Sequence, residues 1–132
     1  MRTSMSTLQK LIYERLKSIK TVITYDKVPK EAKMPFIVLG DAESFPWGTK
    51  LQKGEEVNFD IHVFSEYPSR KEVLDVVDLV LEALSKEEFD LGDNYELVLH
   101  STVGWDIRRE DKIYHALIPA NFKVLEKEEI HG

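Results

Sequence analysis

A strictly alternating segment that leads at once into an amphipathic helix constrains the fold of this chain more than any other feature. Every second side chain from Val57 to Val63 is apolar, and polar side chains take the positions between them. Such alternation is typical of a strand with one buried face. After a turn at residues 67–68, apolar residues recur at helical spacing and predict one apolar stripe: Val73, Val76, Val77, Val80, Leu81 and Leu84.

Hydroxyl side chains precede both predicted helices. Ser69 stands three residues before Glu72, which predicts a capping box at the start of the second helix. Leucines and isoleucines at helical spacing predict a first helix over residues 6–19, with Ser6 or Thr7 as its cap.

Further strands are predicted in residues 21–25, 35–39, 97–107 and 113–125 from their β-prone or alternating sequences. Pro119 lies within the last of these. A proline has no amide hydrogen for the ladder, so this strand is expected at a sheet edge or with a bulge there.

This order of elements predicts an α+β two-layer sandwich, in which two helices pack on one face of an antiparallel or mixed sheet of about four to five strands. The 132 residues form a single predicted domain. Its ordered core is expected over residues 6–125. We expect residues 41–54 to form a long loop and residues 126–132 to form a flexible, charged tail.

Composition excludes several classes of function. The formal net charge of −6 disfavours a general affinity for nucleic acid. Cysteine is absent, so disulfides and thiolate chemistry are excluded. The amino-terminal segment lacks the unbroken apolar core of a signal peptide, and no apolar run reaches the roughly 20 residues of a membrane span. We therefore expect a protein that is made and folded in the cytoplasm without contact with a membrane.

Few residues suggest catalysis. Asp60 and His62 share one face of the alternating strand, and such a pair can bind a metal or orient an imidazole. No third ligand can be assigned, so a solvent-facing pair is the preferred interpretation. His100 and His115 lie on predicted strands that can pair, and these two side chains are expected to approach each other.

Other catalytic patterns are missing. The serines lack a nucleophile elbow, and the glycines form no phosphate-binding loop. A two-metal site drawn from Asp60, Glu96, Asp106 or Asp111 would be arbitrary, because acidic residues in an acidic chain are usually solvated. The sequence thus predicts no catalytic, cofactor or metal site.

Large aromatic residues stand beside lysines in the predicted long loop. Phe45 and Trp47 are followed by Lys50 and Lys53 in a segment without helical or strand periodicity. Aromatic side chains are enriched in the cores of interfaces, so these four residues are candidates for an assembly surface. The alternative is that Trp47 folds back over the sheet edge and the lysines only keep the loop soluble.

Acidic residues mark the polar side of the second predicted helix. Asp75, Asp78 and Glu82 face away from its apolar stripe. Any surface helix has such a face, and this one becomes a candidate interface only if the protein assembles.

The order and spacing of several segments resemble the small tail-completion proteins of long-tailed bacteriophages, also called tail-to-head joining or neck proteins. The resemblance covers most of the chain, and no single motif carries it. Phe64 stands where similar proteins often have tryptophan, which keeps an aromatic side chain. The segments that carry the resemblance are VITYDKVPKEAKMPFIVLG, then Gly-Glu-Glu before VNFDIHVFS, SRKEVLDVVDLVLEAL, and ALIPANFKV.

The resemblance implies a structural virion protein without catalytic activity, cofactor or metal. Such a protein would form a ring of six subunits at the head-proximal end of the tail tube. Its partners would be its own copies, the tail tube protein and the head–tail connector, and its location the neck of the virion. The loop at residues 41–54, which can order upon assembly, and the edge-like last strand would then serve the contacts.

Two alternatives remain from the residues themselves. One is a small metal-dependent enzyme that uses Asp60 and His62, and the other is a bacterial adaptor domain of the same layout. A metal that binds only the folded state raises its thermal stability. No shift of the melting temperature with Zn, Mn or Mg would therefore exclude the enzyme.

Overall fold

The computed structural model describes residues 3–86 and 88–127. Two helices and the strands of one sheet account for most of this part of the chain. They follow in the order α1 (Ser4–Lys17), β1 (Ile23–Tyr25), β2 (Phe36–Gly48), β3 (Lys53–Ser65), α2 (Lys71–Ser85), β4 (Tyr95–Ser101), β5 (Asp106–Glu110) and β6 (Ile113–Glu126).

The strands form one mixed sheet in the order β1-β2-β3-β6-β4, and β5 also pairs with β6. Only the β1–β2 pair is parallel in the described sheet. The predicted α+β class is confirmed, with six strands in place of four or five. The additional strand arises because residues 97–107 do not form one strand: Gly104, at a φ of +91°, lies in a turn that separates β4 from β5.

The core lies between the sheet and the two helices. The alternation in β3 is confirmed, since Val57, Phe59, Ile61 and Val63 are at most 1% exposed. The predicted inner face of β6 is buried too, and so is most of the α2 stripe, although Leu81 is only partly buried. From α1 the same core receives Leu8, Ile12 and Leu16.

Both helix caps differ from the prediction. Thr3, rather than Ser6 or Thr7, caps α1, and its side chain accepts a hydrogen bond from the Ser6 amide at 3.1 Å. At α2 the predicted capping box is wrong. Ser69 accepts a hydrogen bond from the amide two residues on, at 3.3 Å, while Arg70 takes the cap position without a side-chain bond.

Glu72 does not turn back to the start of α2, because it has another partner. Its carboxylate accepts a hydrogen bond of 2.8 Å from the hydroxyl of Ser65, which is fully buried at the end of β3. A buried hydroxyl without an acceptor is costly, so this bond takes precedence over the capping box.

The edge position predicted for the last strand is wrong, because β6 is central and pairs with β3, β4 and β5. Pro119 faces Asp60 of β3 on one side. On the other side, the pairing with β5 ends at Leu117 and the pairing with β4 begins at Asn121. The proline therefore lies at a gap between two neighbouring strands, where a missing amide hydrogen is tolerated.

The predicted long loop at residues 41–54 is a hairpin. Its two strands pair from Ala42 opposite Phe59 to Gly48 opposite Lys53, and only residues 49–52 form the turn. The strand residues carry no apolar alternation because most β2 side chains beyond Leu39 are exposed. We call residues 42–54 the hairpin arm.

The flexible tail predicted at residues 126–132 is wrong at its first residue. Glu126 belongs to β6, and the Lys127 amide donates a hydrogen bond of 2.9 Å to the Asn94 carbonyl oxygen. The remaining residues, 128–132, lie outside the described part of the chain.

Candidate functional site

The hairpin arm brings three of the predicted interface residues together. Phe45, Trp47 and Lys53 line an open groove of about 700 Å³ along the arm. Phe45 is 47% exposed, whereas Trp47 is partly covered by Lys123 of β6, whose ammonium nitrogen lies 5.7 Å from its ring. The groove thus combines apolar rings with charged groups of both signs, because Glu55 and Glu126 line it together with Lys53.

The turn of the arm has a defined shape. The Thr49 hydroxyl accepts hydrogen bonds from the amides of Leu51 at 3.2 Å and Gln52 at 3.1 Å. The Gln52 side chain also donates to the carbonyl oxygen of Glu126 at 3.1 Å, which anchors the turn to the end of β6. The arm therefore presents Lys50 and Leu51 at its tip, where Leu51 is 92% exposed.

The acidic residues of α2 form a second, separate surface. Asp75, Asp78 and Glu82 are exposed on the outside of the helix layer, and no salt bridge is found for them within residues 3–86 and 88–127. The structure does not bring them to the hairpin arm. We call these three residues the acidic stripe.

The face of the sheet that is turned away from the helices carries a cluster of rings. His62 Nδ1 lies 2.7 Å from His115 Nε2, and Phe64 stacks on His115 with ring centroids 4.4 Å apart. Burial, and next the proximity of His115, lower the pKa of His62, although Asp60 and Asp41 oppose the shift. These two imidazoles are held as a hydrogen-bonded pair.

The predicted approach of His100 and His115 is wrong. In the register of β4 and β6, His100 lies opposite Phe122 and stacks on its ring at 4.5 Å. Burial, followed by the charge of Arg15, lowers the pKa of His100. His115 instead lies opposite Phe64 of β3, two residues from Leu117, which is the register partner of His62.

A metal site is not assembled around Asp60 and His62 in the described residues. No group of three or more His, Asp or Glu side chains there is placed to hold a metal ion. The nearest polar neighbour of His62 Nδ1 is a second imidazole at hydrogen-bond distance.

Polar contacts along the outer face of the sheet were not predicted. Asn121 donates to Asn58 Oδ1 at 2.6 Å and to Glu56 Oε2 at 3.2 Å, and Lys123 approaches Glu56 at 3.8 Å. The alternation of β6 places Asn121 and Lys123 on this face. Their partners are more than 60 residues away in sequence, so only the strand register reveals them.

The described helices include none that is long and apolar enough to cross a membrane. Strand order, hairpin arm and helix layer can now be compared with known proteins. The sequence matches the family described as "Tail completion protein gp17" over residues 11–124. The chain belongs to this family. It is thereby a structural protein of the bacteriophage tail completion type.

One curated relative of this tail completion protein is the tail completion protein gp17 of Bacillus phage SPP1. The two are 34% identical over 83 residues, which is 59% of this chain and 61% of the relative. The matched region thus spans about three fifths of the curated relative's length.

Two solved structures are similar to the tail completion protein described here. A chain in "Virion of native gene transfer agent (GTA) particle" has a TM-score of 0.79 at 16% identity and shares the fold, with 96% of this chain and 100% of that chain covered. "Structure of bacteriophage SPP1 gp17 protein" gives a TM-score of 0.58 at 26% identity, with 96% and 93% covered.

Proposed function

We propose that this tail completion protein forms a ring of six copies that caps the head-proximal end of a phage tail tube. The ring ends tube growth and joins the tail to the connector of the filled head. The protein acts as a building block of the virion neck, without catalysis, after its synthesis in the host cytoplasm.

The observation that carries the proposal is the hairpin arm. It is a defined strand pair that ends in an anchored turn, and it keeps Phe45 and Leu51 exposed. Large apolar side chains held on a rigid, solvated element are typical of surfaces that become buried in an assembly.

A ring also requires two different surfaces on each subunit. Contacts between unlike surfaces repeat around an axis and close into a ring when the rotation permits. The hairpin arm and the acidic stripe supply two such surfaces on separate elements. Family membership and the shared fold with a chain of a gene transfer agent virion support the same role.

Sedimentation of the protein alone and in a mixture with isolated tail tubes tests the proposal. We expect a hexamer, either in solution or at the end of the tube, seen as cosedimentation and as a cap in electron micrographs. A protein that stays monomeric and never associates with tubes or connectors would contradict the ring.

Phe45→Ser provides a sharper test, with Tyr67→Ser as its control. Both side chains are 47% exposed, so the two substitutions remove similar apolar surface from different sites. We expect Phe45→Ser to weaken assembly roughly tenfold, as the loss of one aromatic anchor does, and Tyr67→Ser to leave it unchanged. Equal behaviour of the two variants would remove the hairpin arm from the proposed interface.

A further inference from the structure

The hairpin arm extends past the end of its own helix layer. The first turn of α2 lies near the end of β3, because Glu72 contacts Ser65. Past the other end of α2, Phe89 packs on Phe122, which lies opposite Val57 in the register of β3 and β6. The helices therefore cover β3 back to about Val57.

The core itself reaches further, because Val124 opposite Glu55 is 1% exposed and Tyr95 opposite Glu126 is 5% exposed. The strand pair continues beyond the level of Val57 for four to five residues, or roughly 15 Å at the rise of a β-strand.

Because of this overhang, the tip of the arm cannot contact the acidic stripe of its own chain. Ser44 lies opposite Val57, and every residue of the arm from there to the turn lies on the far side of that level. Within the subunit the tip contacts the end of β6, where Gln52 donates to the Glu126 carbonyl oxygen, and no salt bridge is found for its lysines within residues 3–86 and 88–127.

The tip is cationic and apolar. Between Ser44 and Gly54 the sequence contains Lys50 and Lys53, and the carboxylates of Glu55 and Glu126 line the groove behind this tip. Leu51 stands between the two lysines and is 92% exposed. This combination matches a partner surface with carboxylates around an apolar side chain.

The acidic stripe on α2 has that composition. Asp75, Asp78 and Glu82 follow one another by three and four positions, so their like charges lie on one face of the helix and repel one another. Leu74 is 37% exposed and lies one helical turn before Asp78, at the border of the stripe. A cationic neighbour would relieve the repulsion and cover the leucine.

We propose that the hairpin arm of one copy docks across α2 of the next copy in the ring. Lys50 and Lys53 contact the acidic stripe, and Leu51 packs against Leu74. This inference rests on the proposed ring and specifies its subunit contact. The occupant of the stripe is a second copy because both halves of the charge pattern are present in one chain, on surfaces that the subunit itself cannot bring together.

Charge reversal tests the contact. The variant K50E/K53E reverses the arm, and D75K/D78K reverses the stripe. We expect each variant alone to self-associate at least roughly tenfold more weakly than the wild type, because like charges then face each other. An equimolar mixture should recover assembly, since copies of the two variants can alternate around a ring with an even number of subunits.

The control is K30E/K33E, which reverses two exposed lysines at the same spacing in the segment between β1 and β2. It should assemble like the wild type, and circular dichroism should show all three variants folded. If K50E/K53E assembles like this control, or if the mixture does not recover, the arm does not dock on the stripe. If neither charge reversal affects assembly, the proposed ring stands and the proposed contact between arm and stripe is excluded. A wild type that associates neither with itself nor with tubes excludes both.

Cross-linking gives a second readout that does not depend on the charge variants. The chain contains no cysteine, so Leu51→Cys and Leu74→Cys introduce single thiols. Oxidation of a mixture of the two variants should give a mixed disulfide at least roughly tenfold faster than a mixture of Leu51→Cys with Tyr67→Cys, because only the first pair is aligned. Equal rates for both mixtures would overturn the proposed docking.

Discussion

At the scale of single residues, the imidazole pair on the open face of the sheet is a feature whose contacts depend on pH. His62 and His115 are 2.7 Å apart at their ring nitrogens, a distance at which one nitrogen donates and the other accepts. Two protonated rings would both be donors, so protonation of both rings breaks the hydrogen bond and places like charges side by side. The pair therefore links the stability of the sheet to pH.

The free energy of unfolding should fall as the pH drops below about 6.5, the ordinary pKa of histidine. Burial and His115 lower the pKa of His62 in the folded protein, against the weaker opposing effects of Asp60 and Asp41, so the unfolded chain binds the proton more readily. Urea unfolding at pH 7.5, 6.5 and 5.5 measures this dependence. The variant His62→Gln should show a smaller loss, and an unchanged pH dependence would contradict this role.

Phe59 is the residue at which we expect the largest loss from a single truncation. Its side chain is 1% exposed and meets the Phe122 ring edge to face at a centroid distance of 6.1 Å. Phe59→Ala should lower the free energy of unfolding by about 3–5 kcal/mol, the usual cost of such a cavity. The control Phe45→Ala, on the exposed arm, should cost at most about 0.5 kcal/mol in denaturant titrations. Similar losses of unfolding free energy for the two variants would contradict the central place of the Phe59 ring in the core.

At the scale of elements, the hairpin arm shows how a strand pair persists although the β2 side chains from Ala42 to Gly48 are mostly exposed. It is held by the β2–β3 ladder, by pairing of β3 with β6, and by the anchored turn. Gly54 lies where these strands approach most closely. A Cβ at this position would lie 2.6 Å from the Trp47 carbonyl oxygen and still closer to the carbonyl oxygen of Val124.

Gly54→Ala should therefore loosen the arm selectively. Backbone oxygens cannot move aside as a flexible side chain would, so the methyl group should cost about 1–3 kcal/mol. Amide hydrogen exchange should show lost protection in the arm, while the core of β3 and β6 stays protected. The neighbouring substitution Lys53→Ala should leave the exchange pattern intact. Full protection of the arm amides in Gly54→Ala would contradict this prediction, because it would show that the strands accommodate the methyl group without losing hydrogen bonds.

At the scale of the whole molecule, Arg15 ties α1 to the end of the other helix. Its guanidinium donates to the carbonyl oxygens of Ala83 at 3.2 Å and Glu88 at 3.1 Å. The same group lies 4.0 Å from the centre of the Phe89 ring. These contacts hold the two helices together at the end of the layer past which the arm projects.

Arg15→Ala should lower the free energy of unfolding by about 1.5–3 kcal/mol, the range for hydrogen bonds to a charged group. It should also raise the pKa of His100, because the charge of Arg15 contributes to lowering that pKa. Denaturant unfolding and a histidine titration by NMR measure the two effects. Arg108→Ala is the matched control, since its salt bridge with Asp106 is exposed and contributes at most about 1 kcal/mol. A cost no larger than that of the control would contradict the role of Arg15.

Hydrophobic periodicity alone predicts the two layers of this protein. Val57 to Val63 and the stripe of α2 repeat with periods that match a buried strand face and a buried helix face, so burial alone was enough to predict them. The α+β class followed from the order of these elements. Where neither face of a strand is buried, as in the hairpin arm, periodicity is absent, and the arm was predicted as a loop.

The contacts between residues distant in sequence depend on strand register, which only the folded chain shows. His115 contacts His62 instead of His100, because the register of β3 and β6 brings these two rings together. Glu72 accepts a hydrogen bond from Ser65 instead of forming a capping box, because Ser65 at the end of β3 lies within reach of it. Pro119 is accommodated in a central strand only because β4 and β5 leave a gap there. The sequence identifies lysines, aromatic residues and acidic residues as candidates for an interface. Only the folded chain shows that they form two separate surfaces, the hairpin arm and the acidic stripe, because the lengths of β3 and α2 determine where the helix layer ends.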